Sequence, residues 1–379
     1  MKERCINFDW IEVYCLEVGD EHTPEWFEEH EFKGKVKRRE YGTPQYRQMF
    51  TLYNSHFPLI EIRRDPYSIK SAGGIFDPRA CHLRLSNRSC YLPDPIQFLI
   101  NFMKKYGFKY QTTTRIDICL DFNHFDNGDN PANFIRDYFA NVYTKVHQPR
   151  FAAHGKDDKA TKDWNSVKWG SPTSSITTKL YNKSLELKEV GEKPYIRQRW
   201  EECGLNTFSD VWRCEFSMKS EFKSMVRLDL NEESIARTAV DEETGLMFNV
   251  LDINIMTFAN REFLRFTFFA IADYYMDFRY IEYTRNGFPK RKYDCKRKVL
   301  FRTTADERSF TPTQLKDKPV GDRTDYLLIK KLKAIVNDGD NYTYTERLHA
   351  AGVIDALAYR IACKHLGDTI DAFRLNFER

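Results

Sequence analysis

The sequence lacks the short motifs that identify several large enzyme classes. It has no Gly-x-x-x-x-Gly-Lys-Ser/Thr loop, no Gly-x-Ser-x-Gly elbow and no His-Glu-x-x-His zinc helix. None of its nine cysteines forms a Cys-x-x-Cys pair, and its nine histidines include no His-hydrophobe-His pair. These absences argue against a P-loop ATPase, an elbow-type hydrolase and a zinc protease. The scattered cysteines predict reduced thiols in a reducing compartment.

Long apolar runs are absent as well. No stretch approaches the ~20 apolar residues of a membrane span, and the opening residues MKERCINFDW contain no apolar signal core. With 379 residues, 41% hydrophobic and 30% charged, the chain has the composition of a globular protein with a full core. We therefore expect a cytoplasmic protein without a membrane partner. The net charge of +4 is by itself weak evidence for a nucleic-acid partner.

What the chain does contain is a segment in which basic and aromatic residues are interleaved. Residues 279–302 carry nine Arg and Lys against Glu282 and Asp294, together with five aromatic residues. Basic side chains suit phosphates and aromatic rings suit unstacked bases. A solvated basic hairpin is an equally good interpretation of this segment alone. As a nucleic-acid contact, it predicts DNA-binding roles for Arg285, Lys290, Arg291, Lys292, Lys296, Arg297 and Lys298.

A strictly alternating segment offers two carboxylates on one face of a strand. In Arg115-Ile-Asp-Ile-Cys-Leu-Asp121 the Ile and Leu side chains point one way, and Asp117 and Asp121 point the other. Two carboxylates on one face repel each other unless a cation lies between them, and a hard divalent cation is the natural candidate. The alternative is that the acids pair with Arg115 or a nearby lysine.

Two further segments carry chemistry of the same kind. Lys179-Leu-Tyr-Asn-Lys183 places Tyr181 between two lysines on the polar side of a strand, and Trp212-Arg-Cys-Glu-Phe216 places another carboxylate, Glu215, on a strand. A tyrosine that attacks phosphorus must first lose its proton, and nearby cations favour the phenolate. In the alternative interpretation, Tyr181 is a packing residue like most of the 21 tyrosines, and Glu215 belongs to a cross-strand ion pair.

The remaining pattern predicts an α+β fold, with an antiparallel sheet covered by helices on one face. We expect strands over 6–18, 47–52, 59–63, 81–85, 115–122, 174–182 and 211–218, and helices over 94–106, 130–143, from 184 onward and over 262–275. Residues 150–172 are predicted to form a surface loop. A catalytic domain over 1–302, a linker over 303–324 and a small helical domain over 325–379, with helices over 325–335 and 344–365, complete the expected organisation. The helical domain has three candidate roles: duplex recognition, dimerisation, or packing on the catalytic domain.

Together the three segments resemble the Rep_trans family of replication initiation factors, which includes rolling-circle plasmid initiators and related relaxases. The family pattern has an Arg-x-Asp-x-x-x-Asp strand, a Gly-Ser-containing strand leading to a Tyr-Asp/Asn-Lys motif with a following Glu, and an Arg-x-Glu strand. The matching segments here are Arg115-Ile-Asp-Ile-Cys-Leu-Asp121, Trp169-Gly-Ser171 leading to Tyr181-Asn-Lys183 and Glu186, and Arg213-Cys-Glu215. The opening Phe8-Asp-Trp-Ile11 is also similar, so the resemblance spans roughly residues 6 to 300.

The resemblance implies an HUH-endonuclease-like fold in which carboxylates replace histidines as metal ligands. It implies a bacterial host and that Tyr181 is the nicking nucleophile. Relatives often carry Arg or Lys between the Gly-Ser and the following Ser, and this chain does not, so for the side chain that holds the scissile phosphate Lys183 is our first choice and Lys179 our second. Asp117, Asp121 and Glu215 would surround Mg²⁺ or Mn²⁺, while Lys179, Arg115 and Arg213 would contact DNA. The implied partners are a double-stranded origin with a stem-loop and a single-stranded nick site, and a host helicase.

The predicted function is therefore metal-dependent DNA nicking and strand transfer through a 5′-phosphotyrosine, which initiates rolling-circle replication of a plasmid or mobile element. A relaxase for conjugative transfer would use the same chemistry. A DNA-binding regulator with a degenerate site, and a globular protein whose acids are ion-paired, are the remaining alternatives.

Overall fold

The structure is a computed structural model that describes residues 4–19, 21–67, 77–158, 161–227, 237–240, 247–312, 332–338 and 342–366. The chain divides into two compact units, Met1–Gln314 and Leu315–Arg379. In the described residues, no helix is long and apolar enough to cross a membrane.

A ten-stranded antiparallel sheet forms the centre of the first unit. Its strands lie in the order β2-β3-β4-β5-β1-β6-β11-β10-β9-β8. They are β1 (Cys5–Glu17), β2 (Val36–Arg38), β3 (Tyr46–Tyr53), β4 (Pro58–Pro66), β5 (Ala80–Leu85), β6 (Phe108–Phe122), β8 (Phe151–Asp158), β9 (Thr161–Trp169), β10 (Ile176–Asn182) and β11 (Trp212–Lys219). Two three-stranded sheets contain β7 (Tyr143–Lys145), β15 (Phe278–Tyr280) and β16 (Arg297–Lys298), and β12 (Ser224–Arg227), β13 (Arg237–Val240) and β14 (Met247–Asp252).

Helices pack around the large sheet, most of them on its apolar face. They are α1 (Pro24–Glu29), α2 (Pro95–Lys105), α3 (Pro131–Phe139), α4 (Lys183–Val190), α5 (Pro194–Glu202), α6 (Arg261–Tyr275) and α7 (Ala305–Ser309). Ile118 and Phe216 on the central strands are fully buried, and Phe216 packs on Phe268 of α6 with ring centroids 5.1 Å apart. The predicted α+β fold, an antiparallel sheet backed by helices, is confirmed.

The helices α4 and α5 are an exception, because they pack on the polar side of the sheet. Leu187, Ile196 and Trp200 from these helices form a small buried cluster with Cys5 of β1 and Val211 beside β11. Successive side chains of a strand point to opposite faces, so the polar side chains of the sheet lie on the side that α4 and α5 cover at one end. One end of the polar face is therefore buried, and polar side chains at its two ends differ in their exposure to solvent.

Three expectations differ from the structure. The region 150–172, predicted as a loop, contains the paired strands β8 and β9, because its polar residues lie on an edge hairpin that needs no apolar alternation. The predicted helix 130–143 ends at Phe139, and Tyr143 begins β7. Within the predicted linker, Thr304 forms a capping box with Glu307 that starts α7.

The second unit contains two described helices. Helix α8 spans residues 332–337, and helix α9 spans Tyr344–Leu366. The predicted helix 344–365 corresponds to α9. The first part of the predicted helix 325–335 and most of the predicted linker lie outside the described residues.

Candidate active site

Three neighbouring strands place the predicted chemical groups on one face of the sheet. Asp117 of β6 lies opposite Ser217 of β11, Glu215 lies opposite Lys179 of β10, and Tyr181 lies opposite Arg213. Residues that lie opposite each other in an antiparallel pair share a face. The predicted sharing of one face by these segments is therefore matched by the strand register.

Tyr181 makes the central contact of this face. Its hydroxyl donates a hydrogen bond to Glu215 Oε2 at 3.0 Å, and the ammonium of Lys183 lies 3.5 Å from the same hydroxyl oxygen. The ammonium of Lys179 lies 4.0 Å from the centre of the tyrosine ring. The site thus contains a hydroxyl, a hydrogen-bond acceptor for its proton and two cations.

The ionisation of Tyr181 differs from the expectation. Its side chain is only 4% exposed, and burial, together with the negative charge of Glu215, raises the pKa of the phenol well above its ordinary value. The sequence led us to expect that the nearby cations favour the phenolate. Burial and the carboxylate outweigh them, so the group is a protonated phenol at neutral pH and needs a base.

Glu215 has the properties of such a base. Burial, followed by the negative charges of Asp9 and Asp117, raises the pKa of Glu215 to about 7, although Lys179 and Arg213 oppose the shift. A proton acceptor works best when its pKa lies near the working pH. Glu215 combines this pKa with a direct hydrogen bond to the group that must lose its proton.

Asp121 and Arg213 occupy the covered end of the same face. Both side chains are completely buried, and they form a bidentate pair in which Arg213 Nε and Nη2 lie 2.6 and 2.7 Å from the Asp121 oxygens. Trp200 of α5 donates a further hydrogen bond to Asp121 at 2.7 Å. Arg213 also donates to Asp9 at 2.6 Å and to Tyr91 at 2.6 Å.

This network corrects two predicted roles. Asp121 was expected to bind a metal ion, but both of its oxygens accept hydrogen bonds from Arg213 and Trp200. Arg213 was expected to contact DNA, but its guanidinium is fully buried and donates to oxygen atoms of Asp121, Asp9 and Tyr91. The sequence left ion pairing open for these two residues but with other partners, namely Arg115 or a lysine for Asp121 and Glu215 for Arg213.

Asp117 is ion-paired as well, although it lies nearer the open part of the face. Arg115 Nε and Nη2 lie 2.9 and 2.5 Å from its two oxygens, and the Arg115 guanidinium stacks 4.2 Å from the centre of the Trp10 ring. Burial raises the pKa of Asp117 despite this pair. Arg115 is partly exposed, so it remains accessible to a phosphate.

The predicted set of metal ligands does not fit this arrangement. Asp121 is held by Arg213, and both oxygens of Asp117 are held by Arg115. Across the part of the chain that the structure describes, no group of three or more His, Cys, Asp or Glu side chains is placed to hold a metal ion. We therefore derive no chemical step from a metal ion.

The residues of the basic segment differ in exposure, and the exposed Lys290 also pairs with Glu282. Arg285, Lys290, Arg291, Lys292 and Lys296 are exposed, whereas Arg297 and Lys298 are partly buried. Arg297 pairs with Asp273 and Asp277, and Lys298 pairs with Asp129. The first five can reach a nucleic acid directly, and the last two contribute mainly to the packing of β16.

Aromatic rings accompany the exposed cations. Tyr283, Phe288 and Tyr293 are each more than 60% exposed. Tyr283 and Pro289 form an isolated bridge, and Thr284 and Phe288 are joined by backbone hydrogen bonding, so a narrow hairpin presents the first two rings. Tyr293 lies just after it in the short 3-10 helix Lys292–Asp294. Exposed aromatic rings among cations are typical of surfaces that stack unpaired bases.

Two residues near the site were missed by the sequence analysis. Asp9 lies at a bulge in β1 between Phe8 and Trp10, and Arg213 and Lys183 lower its pKa to about 2 although burial opposes them. Lys193 lies immediately before α5. Burial, followed by the positive charge of the nearby Lys183, lowers the pKa of Lys193. Asp9 belongs to the opening segment Phe8-Asp-Trp-Ile11, which was the available signal; Lys193 had none.

The comparisons with known proteins give a distant structural similarity. No family model matches the chain, and no curated protein matches it. The structure aligns with the rolling circle replication initiator protein from Geobacillus stearothermophilus, with 12% identity and a TM-score of 0.44, over 78% of this chain and 93% of that chain. At this TM-score the functional assignment depends on the residues of the site itself.

Proposed function

We propose that this chain cuts one DNA strand and retains the cut 5′ end covalently on Tyr181, and that this reaction initiates rolling-circle replication of a plasmid or mobile element. The observation that carries the proposal is the hydrogen bond from Tyr181 to Glu215, with Lys183 beside the same oxygen. A hydroxyl nucleophile requires a base for its proton and cations for the phosphate. All three lie within one cluster.

The reaction exchanges one phosphodiester bond for another. The Tyr181 oxygen attacks the phosphorus in line, and its proton passes to Glu215. The new bond joins the tyrosine oxygen to phosphorus, while the bond from phosphorus to the 3′ oxygen breaks, and that oxygen takes a proton to become a free 3′-hydroxyl. Rejoining needs no ATP because the ester bond is conserved, in keeping with the missing P-loop.

The two lysines beside Tyr181 differ in burial and therefore in their proposed roles. Lys183 is buried and is ion-paired with Glu186, so its position beside the nucleophile is fixed. Lys179 is partly exposed and covers the Tyr181 ring. A phosphate that draws Lys179 off the ring would uncover the phenol for attack. We propose that Lys183 positions the nucleophile and that Lys179 receives the phosphate.

A requirement for Mg²⁺ or Mn²⁺ stays a prediction from the sequence. We expect cleavage to stop in a chelator and to return when either ion is added. Unchanged cleavage in the chelator would remove the metal ion from the proposal while leaving Tyr181 and Glu215 in place.

The proposed partners are an origin with a stem-loop and a single-stranded nick site, and a host helicase that unwinds the duplex. The exposed Arg285, Lys290, Arg291, Lys292 and Lys296 support DNA contact. The part played by the C-terminal helical unit, including dimerisation, stays a prediction.

A second candidate is a DNA-binding regulator that does not cut. The low exposure of Tyr181, 4%, favours it, because a buried phenol cannot attack unless the site opens. The two candidates make different predictions for the same assay.

The experiment uses supercoiled DNA that carries the gene for this chain and its flanking sequence. After incubation with Mg²⁺ or Mn²⁺, the DNA is separated on a denaturing gel with and without protease. Relaxed circles with protein attached, absent for Tyr181→Phe, would support strand transfer; we expect this variant to lose cleavage by at least ~10³-fold while it still binds DNA. A mobility shift without cleavage would favour the regulator. Cleavage by Tyr181→Phe at the wild-type rate would contradict the nucleophile assignment.

A further inference from the structure

A separate cavity of about 270 Å³ lies at the beginning of β1. Four arginines line it, namely Arg4, Arg199, Arg261 and Arg265, and among its described lining residues Asp94 is the one acid. Several guanidinium groups around one space offer a cluster of N–H donors to an anion. The volume is slightly below the ~300–1,000 Å³ of drug-sized ligand sites, so the cavity suits one small group.

Three of the arginines form ion pairs with carboxylates that do not line the cavity. Arg199 pairs with Glu202 at 3.0 Å, Arg265 pairs with Glu307 at 3.3 Å, and Arg4 pairs with Asp126. A guanidinium carries five N–H donors in a fixed fork, so a single pair leaves donors over. These ion pairs offset the charges of three of the four arginines, but they orient the guanidinium groups and leave N–H donors for an anion.

The fourth arginine is held by the backbone. Arg261 donates to the carbonyl oxygen of Pro93, which carries no charge. Its positive charge therefore remains available to an anion in the cavity.

The crowding of like charges is visible at Arg4. Burial, followed by the positive charge of Arg265, lowers the pKa of the Arg4 guanidinium to about 10. An anion in the cavity would relieve this repulsion.

Much of the remaining wall is apolar, although Asn7 and Gln97 also line it. Ile6, Phe8, Phe258 and Leu264 contribute side chains, and the Phe8 and Phe258 rings meet edge to face with centroids 5.8 Å apart. A ligand that fills this cavity therefore combines an apolar, flat body with an anionic group. A nucleotide has this combination, since a base has an apolar face and its phosphate suits the planar fork of arginine.

We propose that the cavity binds one nucleotide of the single DNA strand, with its base against Phe258 and its phosphate on Arg199 and Arg261. The identity of this ligand rests on the proposed function, because it takes DNA as the substrate. The cavity would hold the strand at a second point, away from the nucleophile, and would select the base at that position.

The cavity is also connected to the active site. Arg199 precedes Trp200 on α5, and Trp200 donates the hydrogen bond to Asp121. Asn7, which accepts from Arg199 at 3.3 Å, lies two residues from Asp9, or ~7 Å along the strand. A nucleotide on Arg199 would therefore contact the same helix that covers the buried end of the site.

The test uses a single-stranded oligonucleotide that contains one 5-iododeoxyuridine, placed at each position in turn, with the full-length Tyr181→Phe protein. Photochemical cross-links are mapped by mass spectrometry, and we expect a cross-link to Phe258 from one position. Binding is measured by fluorescence anisotropy over a range of salt concentrations. The cavity variant is Arg199→Gln/Arg261→Gln.

The matched control is Arg197→Gln/Arg308→Gln. Arg197 lies on the same helix as Arg199 and is likewise paired with a glutamate, Glu192, but it does not line the cavity. Arg308 lies on α7 and does not line the cavity either. We expect the cavity variant to bind about tenfold more weakly, with the slope of log K against log salt reduced by ~0.7 for each phosphate that the variant no longer binds. Arg199→Lys should recover part of the affinity, which a folding defect would not allow.

The outcomes separate this inference from the proposed function. Equal weakening by both variants, or cross-links only to other residues, would overturn the nucleotide site even if the wild-type protein cuts DNA. Displacement of the Phe258 cross-link by micromolar thymidine monophosphate would assign the cavity to a free nucleotide and overturn its assignment to the strand. An absence of any DNA binding by the wild-type chain would instead remove the proposed function.

Discussion

The two ends of the β6–β11 strand pair each carry a carboxylate that is at least partly buried, but the two carboxylates have different partners. At the covered end, Asp121 and Arg213 are fully buried and satisfy each other through a bidentate ion pair. Two residues along β11, Glu215 accepts a hydrogen bond from a phenol instead, and its pKa is raised to about 7. Both carboxylates lie on the same face of the sheet. The comparison teaches that the partner of a carboxylate, more than its burial, decides whether it stabilises the fold or remains available to accept a proton.

Substitution of Glu215 should have the largest effect at the open end. Glu215→Gln retains the size and an oxygen acceptor but cannot take a proton, so we expect cleavage of a single-stranded oligonucleotide to fall by ~10²–10⁴-fold. Glu192→Gln, which removes an exposed carboxylate on the surface, is the control. A Glu215→Gln enzyme within about threefold of wild type would show that the proton goes elsewhere.

The pH dependence of cleavage sharpens the same point. Because the pKa of Glu215 is about 7, the residue is protonated below this pH and cannot accept the Tyr181 proton. The single-turnover rate should therefore decrease as the pH falls through about 7, and it should level off above that pH. The inflection should be missing in Glu215→Gln. The same inflection in both proteins would assign it to another group.

Substitution at the covered end should act on stability. Arg213→Met leaves the carboxylates of Asp121 and Asp9 buried without their cation, and we expect the free energy of unfolding in urea to decrease by ~3–5 kcal/mol. Arg197→Met, which breaks an exposed pair with Glu192, should cost less than ~1 kcal/mol. If both variants lose a similar free energy of unfolding, the buried ion pair at the covered end contributes no more to stability than an exposed one.

The basic hairpin should give the smallest effect. In the Tyr181→Phe background, neutralising Lys290, Arg291 and Lys292 with glutamine should weaken single-stranded DNA binding and reduce the salt slope by ~0.7 for each phosphate that is no longer bound. Phe288→Ser should cost ~1–3 kcal/mol of binding if the ring stacks on a base. Lys104→Gln, on the exposed surface of α2, provides the control. If none of these substitutions changes DNA binding, the hairpin is a solvated basic surface and not a DNA contact.

The sequence predicted the local elements well where an apolar alternation or a cap marked them. The strand over 6–18 corresponds to β1, the strand over 211–218 to β11, and the helix over 262–275 to α6. The helix over 94–106 ends as expected at Gly107, whose φ of +66° suits glycine and where a Cβ atom would lie 2.5 Å from the Val18 carbonyl oxygen. The hairpin β8–β9 was missed, since polar edge strands have no apolar alternation to signal them.

The candidate site was predictable as a face but not as a set of partners. Alternation is a local property, so the sequence alone determined that Asp117 and Asp121 share one side of β6 and that Tyr181 lies among lysines. The tertiary structure decided that Arg213 pairs with Asp121, 92 residues away in the chain, and with Asp9, 204 residues away. It also decided that the Tyr181 hydroxyl donates to Glu215 and that α5 buries one end of the face. Strand register and helix packing set these contacts, and both depend on residues far apart in the sequence, which no local pattern can specify.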